Sequence, residues 1–413
     1  MHDTGAIGGR ILYVALADAR GHLMRAHLLR AMLAPVGVDV DIVTTSGEGR
    51  QFLDVLGSPS EVLSQRFRVE VDAAHNVRRG ATDARVLRYV FDPRGAVRDL
   101  AWLSARARGA VFVVSDSFHP GLMFAPPGMR LVHVYGENMW NAVAGNLDGR
   151  APAVARGYRW LIHRLKARAF GHVEHVLSAR GAAWRGNHVR LPPIIPLPGA
   201  VARRAARSAV VYLNPHFRDP AIASAIEAAL ARGGYDVHAV GEGYANRPGW
   251  RGCDPALADR VAAADVLISG AGMGALGMAR AFGVPLLALS SAQPEQRANL
   301  ASLPAGISVR AVPARASAGE LAAALASLPP RVAAFDPRAR AEAIHDLWTD
   351  VFVRLVARAR TLGAATPDSK ELECRPPLSS SKPTISAAAT PMRTASPPAF
   401  ADSSTTSAIR RAG

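Results

Sequence analysis

The sequence predicts an α/β fold of two doubly wound parallel-sheet domains facing a cleft. Three observations carry that prediction. Short apolar runs of β type alternate with alanine-rich helical stretches, the alternation comes in two series, and a proline-rich segment separates the series. Strands alternating with helices make parallel sheets covered on both faces. Such sheets bind ligands beyond the carboxyl ends of their strands.

Taken in order, Ile11–Leu16 reads as the first strand and His22–Ala34 as the helix behind it. Val38–Thr44 (VDVDIVT) is a second strand, followed by a helix near Gly49–Leu56. Ala110–Val114 and Arg130–Val134 are further strands, and Pro152–Phe170 is a long helix. Leu191–Pro198 (LPPIIPLP) holds four prolines, which continue neither a helix nor a central strand, and reads as an interdomain hinge. The second series runs through strands at Ala209–Leu213, Tyr235–Val240, Val266–Ser269 and Pro285–Leu289. Helices are expected at Ala221–Ala231, Pro255–Ala263 and Gly274–Phe282, with a closing helix at Arg338–Arg360. The expected organisation is therefore a domain over 1–190, a linker over 191–207, a second domain with its closing helix over 208–360, and a tail. From Thr361 to Gly413, 33 of 53 residues are Ser, Thr, Pro or Ala. Such a segment buries too little surface to offset the entropy of ordering and is expected to be disordered.

Composition narrows the function classes. The 413 residues include 49 basic and 33 acidic side chains, a formal +16. Nearly all of the positive charge is arginine; Lys166, Lys370 and Lys382 are the only lysines. The arginines are scattered and aromatics are only 6%, unlike the dense basic blocks of nucleic-acid arms, so no nucleic-acid partner is expected. An anionic partner of another kind, such as a nucleotide, stays open. Two cysteines far apart, Cys253 and Cys374, exclude a disulfide framework and a Cys-based zinc module. Arg10–Ala19 mimics a signal peptide, yet its apolar run is short and reads better as a buried strand. No apolar run of about 18 residues occurs, so a cytoplasmic location is expected.

Three segments carry chemistry. In Ala17–Arg25 (ADARGHLMR), Gly21 permits close backbone approach and His22 lies at a helix N-terminus. There the dipole favours the neutral imidazole, the form able to act as a base; otherwise His22 merely packs the turn. Val113–Pro120 (VVSDSFHP) ends a strand in Asp116, a carboxylate on the ligand edge. Asp116 is placed either to stabilise a His22 imidazolium or simply to cap a loop. In Asp265–Leu300 a buried strand runs into Gly270-Ala271-Gly272-Met273-Gly274 and then a helix, whose free N–H groups favour a phosphate. The segment is not a Walker loop, since no Gly-Lys-Ser/Thr follows.

The order strand, Gly-rich loop, helix, Gly283-Val284-Pro285, strand, Glu295-Gln296 and Asn299 resembles the donor-nucleotide half of GT-B glycosyltransferases. The nearest groups are the nucleoside-diphosphate-sugar glycosyltransferases and the peptidoglycan lipid-intermediate N-acetylglucosaminyltransferases. Arg20-Gly21-His22 is similar to the Gly-His loop of their acceptor domain, and Val113–Asp116 to the strand whose aspartate partners the catalytic histidine. The resemblance extends over Gly9 to Arg360. It implies two Rossmann-like domains, acceptor-binding then donor-binding, and an inverting hexosyl transfer from a nucleotide-diphosphate sugar such as a UDP-sugar to a hydroxyl acceptor. His22 would deprotonate the acceptor and Asp116 would support it. Gly270, Gly272, Met273, Gly274 and Ala275 would hold the diphosphate, and Glu295 and Gln296 would meet the donor sugar. His216 and Gly241 would line the donor side; Gly21, His119, Glu137 and Asn138 would face the acceptor. No metal or cofactor is implied, because the loop and the helix dipole would stabilise the leaving diphosphate.

One position departs from the pattern. The register that aligns Gly272 and Gly283-Val284-Pro285 puts Met278 where many relatives carry a glutamate for the ribose hydroxyls, a hydrogen bond methionine cannot accept. The acceptor is expected to be a polyprenyl- or lipid-linked saccharide or a small natural product. The helix Ala151–Phe170 carries Arg156, Arg159, Arg164, Lys166 and Arg168 with no acid, consistent with peripheral contact on anionic lipid or with a solvated helix. Two other functions fit the same fold: a degenerate member that binds a nucleotide sugar or partner without turnover, and a nucleotide-sugar 2-epimerase.

Overall fold

The computed structural model describes residues 8–17, 20–63, 93–116, 118–140, 152–199, 206–291, 293–332 and 336–364, with a few positions between 81 and 88. In the first domain the strands are β1 (Gly9–Ala15), β2 (Val38–Thr44), β3 (Ser60–Val62), β4 (Phe112–Asp116), β5 (Leu131–Gly136), β6 (Gly171–His175), β7 (Ala183–Arg185) and β8 (His188–Leu191). They form a sheet in the order β3-β2-β1-β4-β5-β6-β8-β7, parallel except where β7 meets β8. Its helices are α1 (Arg20–Leu33), α2 (Gly47–Val55), α3 (Pro93–Ala107) and α4 (Pro152–Arg168).

The second domain repeats the plan. Strands β9 (Ser208–Leu213), β10 (Asp236–Gly241), β11 (Trp250–Arg251), β12 (Val266–Gly270), β13 (Leu286–Ser290) and β14 (Val309–Pro313) lie in the order β11-β10-β9-β12-β13-β14, all parallel. Helices α5 (Pro220–Arg232), α6 (Leu257–Ala263), α7 (Met273–Phe282), α8 (Pro294–Ala301) and α9 (Ala318–Ala326) join them. In both sheets the chain turns outward from a central strand and then returns to that strand's other side. The switch points lie between β1 and β4 and between β9 and β12, the places where such sheets open to ligands.

The central strands are near-continuous apolar runs because both of their faces are covered. Ile11, Tyr13 and Ala15 look into one layer, and Leu12 and Val14 into the other. Helix α7 ends at Gly283, whose left-handed conformation (φ 65°) lets the chain reverse into β13 without Cβ strain. The last helix, α10 (Pro337–Ala364), begins against the second domain through Ala341 and finishes on the first. There Trp348, Val351, Phe352, Leu355, Val356 and Ala359 fill the core under β1 and β4.

The proline segment is a buried strap. Trp348 Nε1 donates to Pro192 O (2.9 Å) and His345 Nε2 to Ile195 O (2.7 Å), so α10 supplies the donors that two carbonyls without strand partners need. Any side chain at Gly277 of α7 would press on Ile195 and Pro193 within 3.0–3.3 Å.

Boundaries shift from the sequence reading by one to three residues at most ends. The strand expected over Ala110–Val114 starts at Phe112 and carries Asp116 as its last residue. The closing helix runs on through Thr361–Ala364, so the first residues of the segment expected to be disordered are helical; the remainder of the tail lies outside the described residues. Strands β6 and β8 were not foreseen. Their sequences, GHVEH and HVRL, mix histidine and charge into the strand and give no apolar run.

Candidate active site

At the first switch point, the start of α1 and the end of β4 bring His22 and Asp116 together. His22 Nδ1 lies 2.9 Å from Asp116 Oδ1; the carboxylate is fully buried and the imidazole 20% exposed. Tyr13 OH donates to Oδ2 (2.8 Å), and Arg25 donates through Nε to Oδ2 and through Nη2 to Oδ1, each at 2.9 Å. Burial by itself would raise the Asp116 carboxyl; the Arg25 guanidinium and then His22 overrule it and hold the group ionised, well below the usual carboxylate range. Arg25 follows His22 by three residues on α1, so helical geometry sets both on one face toward β4.

The loop beyond Asp116 is held by an unusual backbone. Phe118 adopts a left-handed conformation (φ 61°), rare for a bulky residue, and lays its ring on His133 at 4.1 Å and against Trp140 at 3.8 Å. His119 is buried; its Nδ1 accepts from Gly121 N (3.1 Å), and burial pushes it down to about 4. It therefore closes the loop on itself. His175, at the end of β6, is also buried, and it is electrostatically linked to Arg25, Asp116 and His22.

The second domain meets this place at Gly136, the last residue of β5. A Cβ there would lie 3.1 Å from His175 Nε2 and 3.4 Å from both Glu295 Oε1 and Met273 Cγ. The start of α7 and the start of α8 thus converge on the histidine edge of the first sheet. Asn138, two residues on, donates to Asn299 Oδ1 (3.2 Å) and Ser302 Oγ (2.7 Å) and ties the domains together. Glu137 instead accepts from Leu177 N (3.1 Å), turning back into its own domain.

In the second domain, Gly272 is the N-cap of α7 and no side chain caps it. A methyl group added to Gly272 or Gly274 would meet nothing within 4 Å, and Gly272 has an ordinary φ of −76°. Neither packing nor backbone strain inside the protein requires these glycines; a ligand lying against the backbone would. Gly21 is equally open, whereas Gly241 is hemmed in by Tyr244 and Trp250 at 3.1 and 3.2 Å. Ala275 is buried in α7, and Gly270 lies beneath Gln296 and Phe217. Gln296 accepts from Ser291 Oγ (2.9 Å) and donates to Gln293 Oε1 (2.7 Å), while Gln293 approaches His216 Nε2 at 3.3 Å. Burial lowers His216 to about 4, so it stands neutral beside the loop. Asn299 donates to Ala271 O (3.1 Å) and pins the glycine loop from below. Met278 is buried among Leu276, Ala279, Phe282 and their neighbours, in the packed core of the domain.

Sequence reasoning named His22 and Asp116 but missed Tyr13, Arg25 and His175. Arg25 had a readable signal, its i+3 spacing from His22; His175 had none, because β6 was unseen. The basic helix α4 exposes Arg156, Arg159, Arg164 and Arg168, and Trp160 is 63% exposed with Arg164 over its ring at 5.5 Å. Among the described residues no helix is long and apolar enough to cross a membrane, and no three His, Cys, Asp or Glu side chains converge to hold a metal ion.

Two parallel sheets whose switch points open toward a shared edge, bridged by a terminal helix that crosses back, define the GT-B fold. Among solved structures, the chain is similar to the glycotransferase of kitacinnamycin, at 19% identity and TM-score 0.51, over 87% of this chain and all (100%) of that one. The spinosyn rhamnosyltransferase SpnG matches at 18% identity and TM-score 0.51, covering 86% and 100%, and the calicheamicin glycosyltransferase CalG4 at 18% and 0.51, covering 87% and 100%. Likeness at this identity is one of fold. No family model and no curated protein sequence matches the chain.

Proposed function

We propose that the protein transfers a sugar from a nucleotide-diphosphate donor to a hydroxyl of a small-molecule acceptor, with inversion at the anomeric carbon. The observation that carries this reading is the His22–Asp116 pair standing at one switch point while a loop with two open glycines, Gly272 and Gly274, stands at the other. One of the similar structures is SpnG complexed with thymidine diphosphate and another is SpnG complexed with spinosyn aglycone, which supports a nucleoside-diphosphate sugar as donor and a small-molecule aglycone as acceptor here.

His22 Nε2 takes the acceptor proton as the acceptor oxygen attacks the anomeric carbon. The bond from that carbon to the diphosphate oxygen breaks, and its electron pair leaves on the diphosphate. A single displacement from the face opposite the leaving group inverts the centre. Asp116 holds the ring through Nδ1 as a positioning residue. The unfilled N–H groups at the start of α7 take the growing negative charge of the diphosphate, where a helix N-terminus is most favourable.

Nucleoside-diphosphate release from thymidine and uridine diphosphate sugars in the presence of small phenolic and alcoholic acceptors tests the reading. His22→Ala should lower the rate about 10²–10⁴-fold, the usual contribution of a positioned base, while donor binding stays near its original strength. Equal rates in the two proteins would remove His22 from the reaction.

A further inference from the structure

We infer that the face of the first sheet under α4, around His133, Tyr135 and His172, is a binding site for a neutral aromatic compound carrying hydroxyl groups. Along β1 and β4 this face is apolar, with Leu12, Val14 and Val113, and Leu131 continues it onto β5. From there it turns polar. His133 and Tyr135 are two residues apart on β5 and share one face, and His133 is in register with His172 on β6. The three side chains are buried, yet both ring nitrogens of His133, Nδ1 of His172 and the Tyr135 hydroxyl have no hydrogen-bond partner in the protein. A covered parallel sheet is ordinarily apolar on both faces, and buried polar atoms are ordinarily paired. Unpaired atoms gathered on one patch cost the free protein stability that a bound ligand restores.

The ligand class follows from what these atoms offer. His172 Nε2 donates to Lys166 O (2.8 Å), so the ring hydrogen is there and Nδ1 presents a lone pair. Burial pushes His172 down to about 4 and His133 to about 3, so both rings are neutral at pH 7. Neutral His133 offers one N–H and one lone pair, and Tyr135 a hydroxyl that both donates and accepts. A carboxylate or phosphate brings lone pairs alone and leaves the acceptors of His133 and His172 unmet, whereas hydroxyl groups give and take. Of the charges beside the patch, Glu174 is paired with His188 and Arg190, and Lys166 lies over the Tyr135 ring at 5.2 Å. The bordering rings suit a flat aromatic frame: Phe118 stacks on His133 at 4.1 Å and Trp140 stands edge-on to Tyr135 at 5.6 Å. Phe118 covers His133 from its left-handed conformation, and a residue held there at a cost is the one that a ligand moves.

Calorimetric titration of the full chain with naringenin, a trihydroxyflavanone, and with unsubstituted flavanone tests the site. Naringenin should bind saturably and flavanone at least about tenfold more weakly. Tyr135→Phe removes a single oxygen and should weaken naringenin binding at least about tenfold, while the melting temperature stays level or rises because an unpaired hydroxyl has gone. Helix α1, which carries His22, packs on the opposite face of the sheet, so His22→Ala should bind naringenin as the parent does.

No saturable binding, or equal binding of naringenin and flavanone, would overturn the inference. Unchanged binding by Tyr135→Phe would do the same. A lower melting temperature in that variant would mean that the hydroxyl is paired in the free protein, by water, and would equally contradict the site. Binding lost in His22→Ala would move the ligand to the other face. Glycosyl transfer is read separately, by diphosphate release, and none of these outcomes decides it.

Discussion

Arg20, the first residue of α1, grips Glu242, the residue that follows β10, with Nε and Nη2 each 2.5 Å from a carboxylate oxygen. Arg20 is almost completely buried, rests its guanidinium over Phe52, and donates from Nη1 to Ala17 O (2.9 Å). The residue two places before the proposed base is thus anchored to the opposite domain, so the separation of the two sheets and the placement of the His22 turn are mechanically linked.

Glu242→Gln should expose that link. Removing the anion leaves a buried guanidinium underpaired, a loss of about 1–3 kcal/mol given that Glu242 is itself partly exposed. Denaturant titration should report the lower stability, and donor KM should rise about three- to tenfold as the domains lose their brace. Unchanged stability and KM together would show the pair to be incidental.

The glycine loop makes a sharper separation between folding and binding. A Cβ added at Gly274 meets nothing within 4 Å, and Gly274→Leu should leave stability within about 0.5 kcal/mol. The same side chain would fill the place of the diphosphate and weaken nucleotide binding at least about tenfold by calorimetry. Loss of stability without loss of binding would mean that the glycine serves the protein and not a ligand.

Asp116 and His22 should part company in stability. Asp116→Asn strips the buried Arg25 of its counter-ion and should cost about 3–5 kcal/mol in equilibrium unfolding, whereas His22→Ala, at a partly exposed ring, should cost under about 1 kcal/mol. Comparable losses in the two variants would place His22 in the structural network as firmly as Asp116.

The fold itself should weaken in mild acid. Burial lowers His119 and His172 to about 4, His133 to about 3 and His216 to about 4, against 6.5 in the unfolded chain. Between roughly pH 6.5 and 4 the unfolded chain takes up protons that the folded chain refuses. Stability is therefore full above about pH 7 and falls as pH drops, by up to about 1.4 kcal/mol per histidine per pH unit. Urea unfolding at pH 7.5, 6 and 5 reads this slope; a flat profile would mean that these histidines are protonated or exposed in the native protein.

How much of this was legible in the sequence depends on where each residue sits in the sheets. Central strands such as Ile11–Ala15 and Val266–Gly270 are apolar on both faces and announce themselves. Strands β6 and β8 carry His172, Glu174, His175, His188 and Arg190, so their pattern is that of a loop, and His175 went unseen with them. His22 and Asp116 were legible separately, each as a polar residue at a strand or helix end; their 2.9 Å contact depends on β1 and β4 being neighbours, a fact of topology. Arg25 was legible only as the i+3 neighbour of His22 on a helix; that its guanidinium is buried against Asp116 follows from the packing of α1 on β4. Met278 points the other way: a register drawn from sequence set it at the nucleotide, while its side chain belongs to the core.

The most direct test of the central claim is calorimetric titration of the parent protein and Gly274→Leu with thymidine and uridine diphosphates. Saturable binding of at least one of them by the parent, weakened at least about tenfold in the variant, is the predicted result. Binding of neither nucleotide by the folded parent protein would contradict the assignment of the Gly270–Ala275 loop to a nucleotide-sugar donor.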